Sequence, residues 1–81
     1  MSPRNFARVF RREVGMTPAR FVESTRIEVA RRRLEESRDG VDRVATLCGF
    51  GTSESMRRVF LRALGIPPSA YRARFRTALA S

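Results

Sequence analysis

The sequence predicts an all-α chain of about five helices, and three observations predict it. Apolar residues recur at helical spacing along most of the 81 residues. Proline and glycine stand where helices start and stop. The chain also contains itself: residues 6–21, Phe6 to Phe21, align without a gap on residues 56–71, Met56 to Tyr71. Arg8/Arg58, Val9/Val59, Phe10/Phe60, Arg12/Arg62, Gly15/Gly65 and Pro18/Pro68 are identical. Phe6/Met56, Val14/Leu64, Met16/Ile66 and Phe21/Tyr71 exchange one apolar group for another.

The first helix starts at Ser2-Pro3, where the hydroxyl can accept from unpaired N–H groups and proline loses no needed donor. Phe6, Val9, Phe10 and Val14 form its apolar face, with Arg4, Asn5, Arg8, Arg11 and Arg12 elsewhere. Gly15 stops it. Thr17-Pro18 starts a second helix running to about Ser37. Its apolar residues Phe21, Val22, Ile27, Val29, Ala30 and Leu34 spread over more than one side, which suits a helix with neighbours at both ends. Twenty residues span ~30 Å, close to the ~34 Å of one DNA turn. Arg31-Arg32-Arg33 reads as a solvated face, with a phosphate contact by one of the three as the alternative.

Arg38-Asp39-Gly40 is a turn, and Asp39 or Gly40 caps a short helix over Val41 to Cys48. Asp42 favours its positive end. Val44, Ala45 and either Leu47 or Cys48 face inward. Gly49-Phe50-Gly51 is a tight turn, and Thr52 or Ser53 caps a helix to about Leu64 whose apolar face is Met56, Val59, Phe60, Ala63 and Leu64. Gly65 ends it and Pro67-Pro68 opens the last helix, fastened by Tyr71 and Phe75. Six of the seven aromatics, Phe6, Phe10, Phe50, Phe60, Tyr71 and Phe75, are expected in the core.

A short helix, a glycine turn and an amphipathic helix over Val41 to Leu64 have the layout of a helix-turn-helix. The second helix of that motif enters the major groove. Here it carries Ser53, Glu54, Arg57, Arg58 and Leu61 on its polar side, with 54, 57, 58 and 61 on one face. The 17 basic residues are all arginine; against 8 acidic residues they leave a net charge of +9, which points to a polyanionic partner. With no histidine, neither a Cys/His zinc site nor a His-based triad can form within the chain. No glycine-rich phosphate loop or activated nucleophile suggests an enzyme. Lone Cys48 reads as a small core residue, with a redox-sensing thiol as the alternative. It allows no internal disulfide, which fits a reducing, cytoplasmic setting. No apolar run approaches transmembrane length.

The run Arg43-Val44-Ala45-x-x-Cys48-Gly49-Phe50, continuing through Met56, Arg58, Phe60, Gly65, Pro68, Tyr71 and Arg72, resembles the DNA-binding domain of AraC/XylS transcription regulators. Arg26-Ile27-x-x-Ala30-x-x-x-Leu34 matches its middle helix, and Ser2, Phe6, Arg8, Phe10, Gly15, Thr17 and Pro18 match its first unit. The resemblance implies a homeodomain-like bundle in which two helix-turn-helix units, joined by a long helix, read adjacent major grooves. It also implies that Arg4, Asn5 and Arg8 face DNA from the first unit. Ser53, Glu54 and Arg57 would face bases from the second, while Arg58 holds a phosphate. Arg57 suits guanine O6 and N7, and Glu54 suits cytosine N4. Glu54 can equally serve the helix dipole.

The resemblance implies seven helices where this chain holds about five. Residues 1–16 therefore read as the remnant of a first unit, a recognition-type helix without its scaffold helix. Residues 17–38 read as the linker helix, 39–76 as the second unit with its closing helix, and 77–81 as a frayed tail. On this reading the chain is the tail of a longer design; a fragment, a misplaced start codon and a truncated gene fit equally. The expected partner is double-stranded DNA, with RNA polymerase and self-association through the open first unit as further expectations and no membrane partner. No cofactor, metal or catalytic residue is expected. The competing reading is a cationic helical protein that binds polyanions or anionic membrane surfaces without sequence preference.

Overall fold

Proline and glycine divide the chain into five helices: α1 (Pro3–Val14), α2 (Pro18–Glu36), α3 (Val41–Leu47), α4 (Ser53–Leu64) and α5 (Pro68–Ala80). The computed structural model describes residues 3–80. The helix start expected at Ser2 lies outside them. The repeat is structural as well as sequential. Both α1 and α4 have 12 residues, and their ends are fifty positions apart, as are the starts of α2 and α5.

The local chemistry recurs too. Thr17 Oγ1 accepts from Arg20 N at 3.2 Å at the start of α2, and Thr52 Oγ1 accepts from Ser55 N at 3.1 Å at the start of α4. Each hydroxyl satisfies one of the donors a helix start leaves unpaired. At the C-terminal ends, Gly15 N donates to Arg11 O and Gly65 N to Leu61 O. Both glycines have positive φ, the left-handed closure that a side chain resists. Of the two candidate caps for α3, Gly40 takes the position, without a side-chain bond. The last helix runs past Arg76 to Ala80, through the stretch read as a frayed tail; Thr77 Oγ1 bonds back to Ala73 O at 2.9 Å.

One core forms where α2, α3 and α4 meet. Ala30 and Leu34 of α2 pack with Val44, Ala45 and Cys48 of the α3 segment and with Met56 and Phe60 of α4. Val41, Phe50 and Tyr71 close its margin. Phe60 lies at its centre, fully buried, with Phe50 and Tyr71 meeting it edge-on at 6.5 and 6.3 Å between centroids. Of the two inward candidates in α3, Cys48 is buried and Leu47 is exposed.

The expectation of six core aromatics needs correction at the N-terminal end. No residue of α1 is buried, and Phe6 is 50% exposed. The helix rests mainly on α2, where Phe10 meets Phe21 edge-on at 5.5 Å and leans on Phe6 at 5.8 Å. The physical reason is the asymmetry of the repeat: α4 has α3 across its apolar face, whereas none of the described residues lies across α1 as α3 does. Phe21, Val22 and Val29 of α2 are likewise exposed. The molecule is elongated, 49 × 25 × 19 Å.

Candidate nucleic-acid interface

The second helix-turn-helix is built around its turn. Gly49 and Gly51 both have φ near +86, at +87 and +85. Between them Phe50 drops toward the core, with its N–H bonded to Ala45 O at 2.9 Å. A Cβ on Gly49 would stand 3.1 Å from Nε of Arg26, which lies along the outside of the turn. The chain therefore reverses tightly enough to set α4 across α3 with Met56 and Phe60 inward.

That inward anchoring decides what α4 presents outward. Glu54, Arg57 and Arg58 are exposed and Ser53 is half-buried. Ser53, Glu54 and Arg57 share the wall of a shallow cleft of about 310 Å³, closed by Val41, Pro67, Pro68 and Ser69. The starts of α3, α4 and α5 thus border one concavity whose only basic side chain among the described residues is Arg57. Arg57 has no hydrogen-bond or ion-pair partner among the described residues, so its guanidinium donors face outward unused. Arg58 stands beside Glu54, Nε to Oε1 3.8 Å, as an exposed i,i+4 pair. Such pairs contribute ~0.3–0.5 kcal/mol, too little to hold either group against a phosphate.

The three first-unit residues, Arg4, Asn5 and Arg8, are exposed on α1. They stand apart from the α4 group, and the repeat places Arg4 where α4 has Glu54 and Arg8 where it has Arg58. Arg57 has Ala7 as its counterpart, so the two helices do not carry the same chemistry at that position.

Two groups of polar residues escaped the sequence reading. Arg31, read as solvated, is half-buried. Its Nε donates to Tyr71 Oη at 3.1 Å, its Nη1 meets Glu28 Oε1 at 2.7 Å, and its guanidinium lies 5.5 Å from the Tyr71 ring centre. Tyr71 in turn donates to Glu35, and Arg72 donates to the carbonyls of Leu34 at 3.1 Å and Ser37 at 3.4 Å. The hydrogen bond that Arg31 donates to Tyr71 raises the Arg31 pKa further, and burial raises that of the Tyr71 phenol. Together they fasten α5 to the end of α2. The second group is an ion pair between Arg62 of α4 and Glu23 of α2. Its signal in the sequence was the identity of Arg12 and Arg62 in the two repeats, and no carboxylate could be assigned to it before the helices were packed.

Among the described residues no helix is long and apolar enough to cross a membrane. A family model described as a helix-turn-helix domain matches residues 1–74. The chain is 57% identical over 75 residues to the HTH-type transcriptional regulator Rv1931c of Mycobacterium tuberculosis, covering 93% of this chain and 29% of that protein. It is 35% identical over 69 residues to the HTH-type transcriptional activator RhaS of Pectobacterium carotovorum, covering 85% of this chain and 25% of that one. It thus spans under a third of the length of these relatives. Among solved structures it is similar to the DNA-binding domain of AdpA, a global transcriptional factor, crystallised with a target DNA. The TM-score is 0.91 at 42% identity, covering 96% of this chain and 70% of that one.

Proposed function

The chain belongs to the AraC-type helix-turn-helix family, and from that premise we propose that it is the DNA-reading part of a transcription regulator, binding duplex DNA with sequence preference. The observation that carries this is the pair of faces on α4. One face is locked into the core by Met56 and Phe60, and the other offers Ser53, Glu54 and an unpartnered Arg57 around a concave wall. A rigid helix with one free guanidinium can place two donors on guanine O6 and N7. Glu54 can accept from cytosine N4, and Arg58 holds a backbone phosphate, fixing position without reading sequence.

In the first unit, Arg4, Asn5 and Arg8 face a second groove. By the repeat, Arg4 takes the base-side position of Glu54, and Arg8 takes the phosphate position of Arg58. The linker α2, 19 residues or about 28 Å long, suits two sites about one turn apart. The unused arginines on both helices supply the counterion-release part of binding. A regulator of this kind works in the cytoplasm on the chromosome, by recruiting or blocking RNA polymerase, and has no catalytic role. The open apolar face of α1 also offers a self-association surface.

The exposed Phe6, Val9 and Val14 of α1, interleaved with arginines, favour a second reading: adsorption to anionic membranes. Competition separates the two. At ~150 mM salt, where nonspecific binding is weak, a mixed duplex pool should displace the chain from phosphatidylserine vesicles. Retention on vesicles in excess duplex would instead support the membrane reading.

A further inference from the structure

Both reading helices are fastened to the same short stretch of α2. The first unit is joined there by Phe10 on Phe21. The second is joined two residues later, where Glu23 accepts from Nη2 of Arg62 across 39 positions of sequence. Next to this contact Met16, Arg20, Ser24, Ile27 and Ala63 line a narrow cleft between the α1–α2 turn and α4. The Glu23 side chain is largely covered, at 27% exposure, while Arg62 is 58% exposed. The pair stands at the end of α4 opposite the reading residues Ser53, Glu54 and Arg57, so it touches none of them.

Arg12, the repeat counterpart of Arg62, has no such carboxylate among the described residues. The tie is therefore one-sided. α4 is held to α2 by charge as well as by its core residues, whereas α1 meets α2 through the edge of Phe10 on Phe21. Partly exposed ion pairs contribute little to stability. A pair joining two helices 39 positions apart does restrict how one can pivot on the other.

We propose that the Glu23–Arg62 pair sets the angle of α4 on α2, and so selects the spacing between the two DNA blocks rather than the bases within them. This rests on the two-groove reading above. Adding one base pair between the blocks moves the second site by about 3.4 Å and turns it by about 35° about the duplex axis. A loosened pivot would tolerate that change, because nothing at the base-reading face has altered.

The test is selection from a library carrying both preferred blocks at every separation, using the 81-residue chain, Glu23→Gln, Arg62→Met and the exchanged pair Glu23→Arg with Arg62→Glu. The expected result for each single variant is a preference for the best spacing over its one-base-pair neighbours that falls ~2- to 5-fold. Base preferences within each block stay unchanged, and the exchanged pair recovers the sharp spacing. Circular dichroism melting of each variant confirms that it folds. Sharp spacing in the single variants overturns the role of the pair while leaving two-groove reading intact. Altered base preference in either block overturns it as well. A single block in the unaltered chain overturns both readings together.

Discussion

Single residues in this chain divide by whether they face the core, the turn or the ligand. Phe60 is fully buried among Phe50, Tyr71 and Met56. Its replacement by alanine removes a large side chain from a close-packed site and should destabilise by ~3–5 kcal/mol, enough to unfold much of a domain of this size. Gly49 is constrained twice, by its positive φ and by Arg26 at 3.1 Å from a Cβ. The flexible Arg26 end can move aside, so the backbone sets the effect. Gly49→Ala should lower stability by ~1–2 kcal/mol, measured by urea denaturation.

At the proposed reading face, Arg57→Ala should relax preference at one base pair by ~1–3 kcal/mol. Arg58→Ala should weaken all sequences alike and flatten the salt slope by about one charge. Uniform losses from both, in quantitative binding to single-base variants of a site, would remove Arg57 from the base-reading role. Glu54, with Arg58 as neighbour, is the residue whose exchange for glutamine separates a base contact from a dipole role. Only the first lowers discrimination at a cytosine.

Among the elements, α2 decides the architecture, since the core and all four other helices meet it or its neighbours. Its boundaries were legible because threonine-proline starts and glycine closures are local signals, settled by backbone geometry within a few residues. Its faces were not. Ile27, Ala30 and Leu34 are buried while Phe21, Val22 and Val29 remain exposed, and only packing against α3, α4 and α5 distinguishes them. Arg31 shows the same limit. In sequence it stands in a run of three arginines, yet the approach of Tyr71 from 40 positions away turns it into a tie.

That tie carries an alkaline signature. Burial raises the Tyr71 phenol, with the bond to Glu35 adding to the rise and Arg31 opposing it, and burial also raises the Cys48 thiol. Each group holds its proton more tightly folded than unfolded. Their contribution is therefore complete below the ordinary thiol value of about 8.5 and declines as pH rises through that range and then past about 10 for the phenol. Urea midpoints should fall above pH ~8.5, and Tyr71→Phe with Cys48→Ala should flatten the decline. An unchanged decline in the double variant would assign it elsewhere.

On the scale of the molecule, the repeat was legible in the sequence, and so was its imbalance. Two matching helices sit in unequal surroundings: α4 is buried on one side by α3, and α1 has no fully buried residue. Amide exchange in residues 3–15 should therefore run well ahead of exchange in residues 41–71, with the latter approaching global stability. Equal protection in a monomer would contradict that division. The two-groove reading asks this weakly packed helix to dock beside a well-packed one, so DNA should slow exchange in α1 more than in α4.

Two matching helices, spaced by α2, are proposed to read duplex DNA. Selection of bound duplexes from a fully randomised library at ~150 mM salt tests this most directly. Two blocks of base preference about one turn apart are expected, the stronger one lost on Arg57→Ala. Retained duplexes with no enriched sequence would contradict this reading, leaving a cationic surface that binds DNA for its charge alone.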